Sequence, residues 1–293
     1  MTAADAVPAA AAPARRGTLR RLLRHRLFVT GAILFGIVLV MAVFADLLAV
    51  AAPERMHYRF RFRGPGGWPF PLGTDNFGRD LWSRLVYGAQ LSLAIGFAVV
   101  VLTGVFGTAI GLAAGYFRRL DEPLMRVMDA LMAFPAILLA IAIAAALGPS
   151  AVNAVIALAV VYTPRTARIV RATVLVVREM EYVQAALAFG ARHRWIVWRH
   201  VLPNSLAPLI VQLTFIFAYA VLAESILSFL GVGAPPPTPT WGNMIAEGQE
   251  YLRESPHLAL FPGIAIALTA LGLNLIGDGL RDVLDPRLRV QHD

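Results

Sequence analysis

The chain has 293 residues, of which 58% are hydrophobic and 15% charged, against roughly 45–50% and about 25% in an average soluble protein. That balance excludes an ordinary soluble domain, and the apolar residues are gathered into charge-free windows that meet the ~20 residues a bilayer-spanning helix needs. With no cysteine, disulfide frameworks, thiolate metal sites and cysteine nucleophiles are excluded together. The net charge is +8 and every one of the 26 basic residues is Arg. These arginines flank apolar spans instead of forming a soluble basic face, so they speak for membrane topology and not for nucleic acid.

Residues 1–26 are Ala/Pro-rich and then Arg-rich, with Arg15, Arg16, Arg20, Arg21, Arg24 and Arg26 ahead of the first apolar run. They read as a disordered cytoplasmic tail followed by an anchor. Spans are expected near 27–50, 88–116, 124–147, 151–171, 205–230 and 258–280, the third and fourth parted by a turn at Gly148-Pro149-Ser150. Six spans place both termini on one side, and the excess of arginine on that side marks it as the cytoplasm. Residues 51–87 then form an extracytoplasmic segment. Residues 88–280 form a five-helix core with a cytoplasmic loop at 172–204, and 281–293 a cytoplasmic C-terminal tail.

Within this frame, Thr74, Asp75, Gly78, Arg79 and Asp80 make a polar patch with turn-forming glycines before an apolar helix, which points to capping and anchoring or to receiving a solute. Gly107, Gly111 and Gly115 recur every four residues and predict close helix packing. Pro135 is expected to kink the third span, and Asn274 to bond another helix. Charges inside spans are costly unless paired or hydrated. Asp129 is therefore expected to pair with Arg126 and Asp278 with Arg281. Glu224 is expected either to pair with an Arg or to face a water-filled path.

The inner loop has an amphipathic pattern. Tyr182, Ala185, Ala186 and Phe189 recur at i, i+3, i+4 and i+7, placing them on one face of a short helix. Gly190 permits a sharp turn, and a second helix carries Arg192, Arg194, Trp195, Trp198 and Arg199 before Pro203.

Glu181-Tyr182-Val183-Gln184-Ala185-Ala186, then Gly190, then Leu202-Pro203, resembles the "EAA loop" of binding-protein-dependent ABC importer permeases. Gln184 stands where that pattern has Glu, and His200 where an aliphatic residue is usual. The runs Leu72–Leu85, Glu224–Gly242 and Asn274–Arg287 resemble the C-type subunit of dipeptide and oligopeptide permeases, in the family's order. The resemblance implies an all-α type I ABC importer permease fold, a polytopic membrane protein with six transmembrane helices in the bacterial inner membrane. It further implies a homologous sister permease, two ATPase subunits or domains, an extracytoplasmic substrate-binding protein and surrounding membrane lipid. Glu181, Tyr182, Gln184, Ala185, Ala186, Phe189, Gly190 and Arg194 would couple to the ATPase, while Glu224, Asp75 and Arg79 are candidates for the substrate path. The solute would be a short peptide or a similar small molecule.

No enzyme chemistry is expected from the chain itself. A Lys-free sequence lacks the GxxxxGK(S/T) phosphate loop, so no cofactor is expected on it, and ATP and Mg would sit on the partner ATPases. Its six His are scattered without ligand spacing. The alternative from another class is an ion-coupled secondary transporter, for which Glu224 is the one candidate coupling acid and for which an internal inverted repeat is missing.

Overall fold

The computed structural model describes residues 16–284; the tail residues 1–15 and 285–293 discussed above lie outside the described residues. Helix α1 (Arg16–Leu22) occupies the Arg-rich stretch for which an unstructured tail was expected, and α2 (Arg26–Val43) and the single turn α3 (Ala45–Leu48) follow. The second span begins earlier than its apolar run suggests. Helix α4 (Leu81–Tyr116) takes in the polar residues Ser83, Arg84 and Gln90 because Asp80 caps it, its carboxylate accepting the Ser83 N–H at 2.9 Å. Such a cap contributes about 0.5–2 kcal/mol.

The third expected span is not one straight helix. Helix α5 (Arg118–Met132) and α6 (Ala136–Leu147) meet at 90° across Ala133, Phe134 and Pro135. Pro135 therefore breaks the span where a kink was expected. At 1.5 Å per residue the 12 residues of α6 reach about 18 Å, short of the ~30 Å hydrocarbon core. Gly148, at φ +89°, turns the chain into α7 (Ala151–Arg178). The inner loop folds as α8 (Glu181–Ala188) and α9 (His193–Ile196), which passes through a π-helical turn at Val197–Val201 into α10 (Leu202–Phe229). Helix α11 (Trp241–Gly248) folds back before the last long helix, α12 (His257–Leu284).

Four of the described helices, namely α2, α4, the α9–α10 run and α12, are long and apolar enough to cross a membrane; the bent α5/α6 pair makes a fifth if taken as one span. Helix α7 lies outside that set because Arg165, Arg168 and Arg171 occupy its second half. It runs beside α4 all the same, so six crossings remain compatible with the fold.

Lipid tails are as apolar as leucine, so helices in a membrane are held by close van der Waals approach more than by the hydrophobic effect. The glycine row of α4 shows how. A Cβ at Gly107 would stand 2.6 Å from Thr166 Cβ, at Gly111 2.7 Å from Val170 Cβ, and at Gly115 2.7 Å from Val174 Cβ. These contacts lay α7 along the C-terminal half of α4. Three apolar clusters stack along the bundle: Val38, Leu85, Trp241 and Leu258 at one end, Val99, Leu158, Ile216 and Leu227 in the middle, and Val174, Val183, Ile196 and Val201 at the other.

Several expected polar contacts are replaced by others. Asp129 pairs with Arg168 at 2.7 Å, while Arg126 takes Glu122 one turn away at 2.5 Å. Among the described residues Asp278 makes no ion pair and Asn274 no side-chain hydrogen bond; the inner end of α12 is tied instead by Asp282, 3.3 Å from His25 at the start of α2. Asp121 and Asp129 of α5 reach across to α7 because α5 packs against it, a neighbour that sequence distance does not reveal.

Candidate functional site

The α8–α9 end of the bundle carries an exposed element. Helix α8 lacks a side-chain cap at its start, and its Val183 is fully buried with Ile196 and Val201 against Val174 and Val177 of α7. This fixes the roll of the helix. Tyr182 and Ala185 turn outward, Ala186 is half-buried, and Phe189 at the C-cap is 92% exposed. Gly190 adopts φ +77°, its N–H donates to Leu187 O at 3.0 Å and the Ala191 N–H to Ala186 O at 3.0 Å. That is the Schellman ending, in which a left-handed residue closes the helix and lets the chain reverse.

His200, the departure from the aliphatic pattern, has a visible task. Its ring lies 4.9 Å from Trp195 and 5.6 Å from Tyr182, and Asn204 Nδ2 donates to the Tyr182 hydroxyl at 3.2 Å. An aromatic bracket thus joins α8 to the approach of α10. Gln184 donates to Arg178 O at 2.8 Å, holding α8 to the end of α7. Glu181 and Arg194 are exposed, and among the described residues neither makes an ion pair. Next to this element lies a cavity of about 690 Å³ between the α4–α5 junction and α8, lined by Tyr116, Arg118, Arg119, Arg178, Gln184 and His193. The Tyr116 hydroxyl meets His193 Nδ1 at 2.9 Å across its edge.

At the opposite end, Asp75 and Arg79 are brought together but turned inward. Asp75 Oδ1 accepts the N–H groups of Phe77 and Arg79, and its Oδ2 accepts Arg79 Nε at 2.6 Å and Arg84 Nη1 at 3.0 Å. Arg79 Nη2 reaches Glu247 of α11 at 2.6 Å; Arg84 Nη2 lies 2.9 Å from the same oxygen, too oblique for a hydrogen bond. Asp75, Arg79 and Arg84 are all buried. Burial pushes the Glu247 carboxyl above its ordinary range, and the charge of Arg79 offsets only part of that. Arg84 and Glu247 were missed in the sequence, since 163 positions separate them and the resemblance singles out neither. The patch is a clasp between the start of α4 and α11. Ser83 Oγ strengthens it by accepting the Val50 and Ala51 N–H groups, and Trp241 Nε1 by donating to Leu85 O.

Glu224, expected to pair with an Arg of its own or a sister subunit or to face a water-filled path, finds neither among the described residues of this chain. It is fully buried, accepts Ser228 Oγ at 2.7 Å through one oxygen, leaves the other without a partner, and among the described residues meets no Arg. One helical turn along α10 supplies the serine; a water-filled path does not reach the carboxylate within this chain.

A packed helical bundle, with an exposed short helix pair between two long helices at one end and a clasped loop platform at the other, defines a polytopic helical membrane protein. The family model described as the binding-protein-dependent transport system inner membrane component matches residues 107–290, and that described as the N-terminal TM domain of oligopeptide transport permease C matches 15–65. The chain belongs to this family: it is a permease subunit of an ABC importer, without ATPase activity of its own. It is 57% identical over 274 residues to a Brucella abortus protein whose name assigns it to a peptide transport system as permease, covering 94% of this chain and 92% of that one. It is 45% identical to the dipeptide transport system permease protein DppC of Alkalihalophilus pseudofirmus, covering 94% and 90%. Its fold is similar to a chain of the MetNI methionine ABC transporter, with a TM-score of 0.56 and 20% identity over 68% of this chain and 96% of that one.

Proposed function

We propose that this chain forms one half of a path for short peptides across the bacterial inner membrane. A homologous sister permease supplies the other half, two ATPases bind beneath it, and a substrate-binding protein delivers the solute from outside. The observation that carries this reading is the exposure of Phe189, Tyr182 and Ala185 on a helix whose other face is locked to α7 by Val183. A large aromatic held outward on a rigid mount suits insertion into a groove of another protein. ATP and Mg reside on the ATPases.

The inner end then faces the cytoplasm, with both termini on that side. ATP-driven closure of the ATPases displaces α8 and α9. Because α8 packs on α7 and α9 continues into α10, the displacement passes to both long helices as rigid bodies. The cavity between the two permeases opens outward, accepts the solute and closes again upon hydrolysis. The peptide assignment draws on the two named relatives and on the outer clasp, which keeps 51–80 and α11 together as a landing surface. Purification from the native host tests the whole: ATPase subunits and a second permease copurify if it holds, whereas proton-driven uptake by this chain alone overturns it in favour of the secondary transporter.

A further inference from the structure

Three arginines stand at three-residue intervals on α7, and only two of them have acids. Arg171 makes a paired contact with Asp121 of α5, at 2.5 and 2.7 Å, and Arg168 takes Asp129 at 2.7 Å. Arg165 has no ion pair and no hydrogen bond among the described residues. Its guanidinium lies instead 5.7 Å from the ring centre of Tyr162 and 5.8 Å from that of Tyr219 on α10. Tyr162 is buried and donates its hydroxyl to Tyr219 O at 3.4 Å, while Tyr219 is 46% exposed.

Depth makes this arrangement unusual. Thr166, the next residue, packs on Gly107, nine residues or about 14 Å before the inner end of α4. Helix α4 carries no charge between Arg84 and Arg118, and α10 none from Leu202 to Ala223. An arginine at that level is costly against lipid, and intramembrane arginines face a bundle interior or an aqueous cavity. Two aromatic faces offset part of the charge but accept none of the five N–H donors of a guanidinium. Arg165 therefore presents a fork of open donors beside exposed aromatic surface, with Asp121 and Asp129 of α5 already engaged by Arg171 and Arg168 and Glu122 by Arg126.

We propose that Arg165, flanked by Tyr162 and Tyr219, is a half-site in the translocation path that receives the carboxylate of the passing solute. This rests on the permease reading above and names a contact within it. A planar guanidinium matches a carboxylate in two parallel N–H···O bonds, and the Tyr219 ring gives an adjacent amide or apolar side chain a surface to lie on. The site differs from Glu224, which is fully buried within this chain, and from Asp75 and Arg79, whose charges neutralise each other.

The test uses the complete transporter in proteoliposomes, with its ATPases inside and saturating binding protein outside, loaded with Ala-Phe or with its C-terminal amide. Arg165→Gln is expected to lower the maximal uptake of the free acid about tenfold, the loss of one charge-assisted contact, and to leave uptake of the amide unchanged. Arg165→Lys, which keeps the charge, should retain the preference for the acid, and all three complexes should be recovered in equal yield. Equal uptake by wild type and Arg165→Gln would overturn the proposal. So would an equal loss for acid and amide, which would mean that the charge pairs with the sister subunit or a lipid phosphate. A wild-type complex without ATP-dependent uptake of either solute would overturn the proposed peptide path, and the half-site with it.

Discussion

Two neighbouring residues at the inner end separate coupling from folding. Phe189 is 92% exposed, so its truncation removes almost no packing, and Phe189→Ala is expected to leave thermal stability of the purified complex unchanged while ATP-dependent uptake falls to near background. Uptake at the wild-type rate would disprove an anchoring role for the ring. Gly190 acts through the backbone. Its φ of +77° lies far from the −65° that proline imposes, and its N–H is bonded to Leu187 O. Gly190→Pro should therefore misdirect α9 and abolish uptake, with normal membrane insertion measured in the same vesicles. Gly190→Ala, which only strains the left-handed position by about 1 kcal/mol, should keep most activity. If alanine is as damaging as proline, the turn matters for something other than its conformation.

Among the elements, the α4–α7 pair is the closely packed spine through which force would pass in the proposed cycle. Gly111 is one of its closest points, where a Cβ would lie 2.6 Å from the Ala167 carbonyl oxygen and 2.7 Å from Val170 Cβ. Gly111→Leu has to push the helices apart, and overpacking of this kind costs roughly 1–3 kcal/mol. The expected outcome is a lower melting temperature of the complex in detergent, with the spine loosened; an unchanged melting point would show that the pair is not closely packed in the assembled transporter. This spine was legible in advance because a four-residue glycine spacing is a local signal that a neighbour must come close. The bracket under α8 was not, because the aromatic positions Tyr182, Trp195 and His200 only converge once Gly190 has reversed the chain. Nor was the third span: Pro135 announced a bend, but its 90° angle depends on α5 finding α7 through Asp121–Arg171 and Asp129–Arg168. For the same reason Asp129 with Arg126, adjacent on a helix and easily paired by eye, lost to a partner 39 residues away. Buried ion contacts between elements, such as Arg79 and Arg84 with Glu247, are set by which surfaces dock, and a single sequence carries no record of that.

At the scale of the molecule, the landing platform and the lever must lie on opposite faces of the membrane, since the proposed cycle converts work on one side into access on the other. The fold places them at opposite ends of α4 and α10, with Trp68 80% exposed beside the clasp and Ala185 exposed on α8. Absence of cysteine from the whole chain makes the arrangement directly measurable, because any single introduced thiol is the sole reactive one in this subunit. Trp68→Cys should react with a membrane-impermeant maleimide added to intact spheroplasts, whereas Ala185→Cys should react only in inverted vesicles. Both positions are exposed and make no side-chain hydrogen bond among the described residues, so neither substitution should disturb the fold. Adding the purified ATPases to stripped inverted vesicles should then slow labelling of Ala185→Cys severalfold by covering α8, and leave a thiol placed at Trp68 untouched. Labelling of both positions from the same side would invert the topology and remove the mechanical argument. Labelling of Ala185→Cys indifferent to the ATPases would leave the topology standing and place the docking surface elsewhere, the cavity edged by Arg118, Arg119 and Arg178 being the adjoining inner surface to probe next.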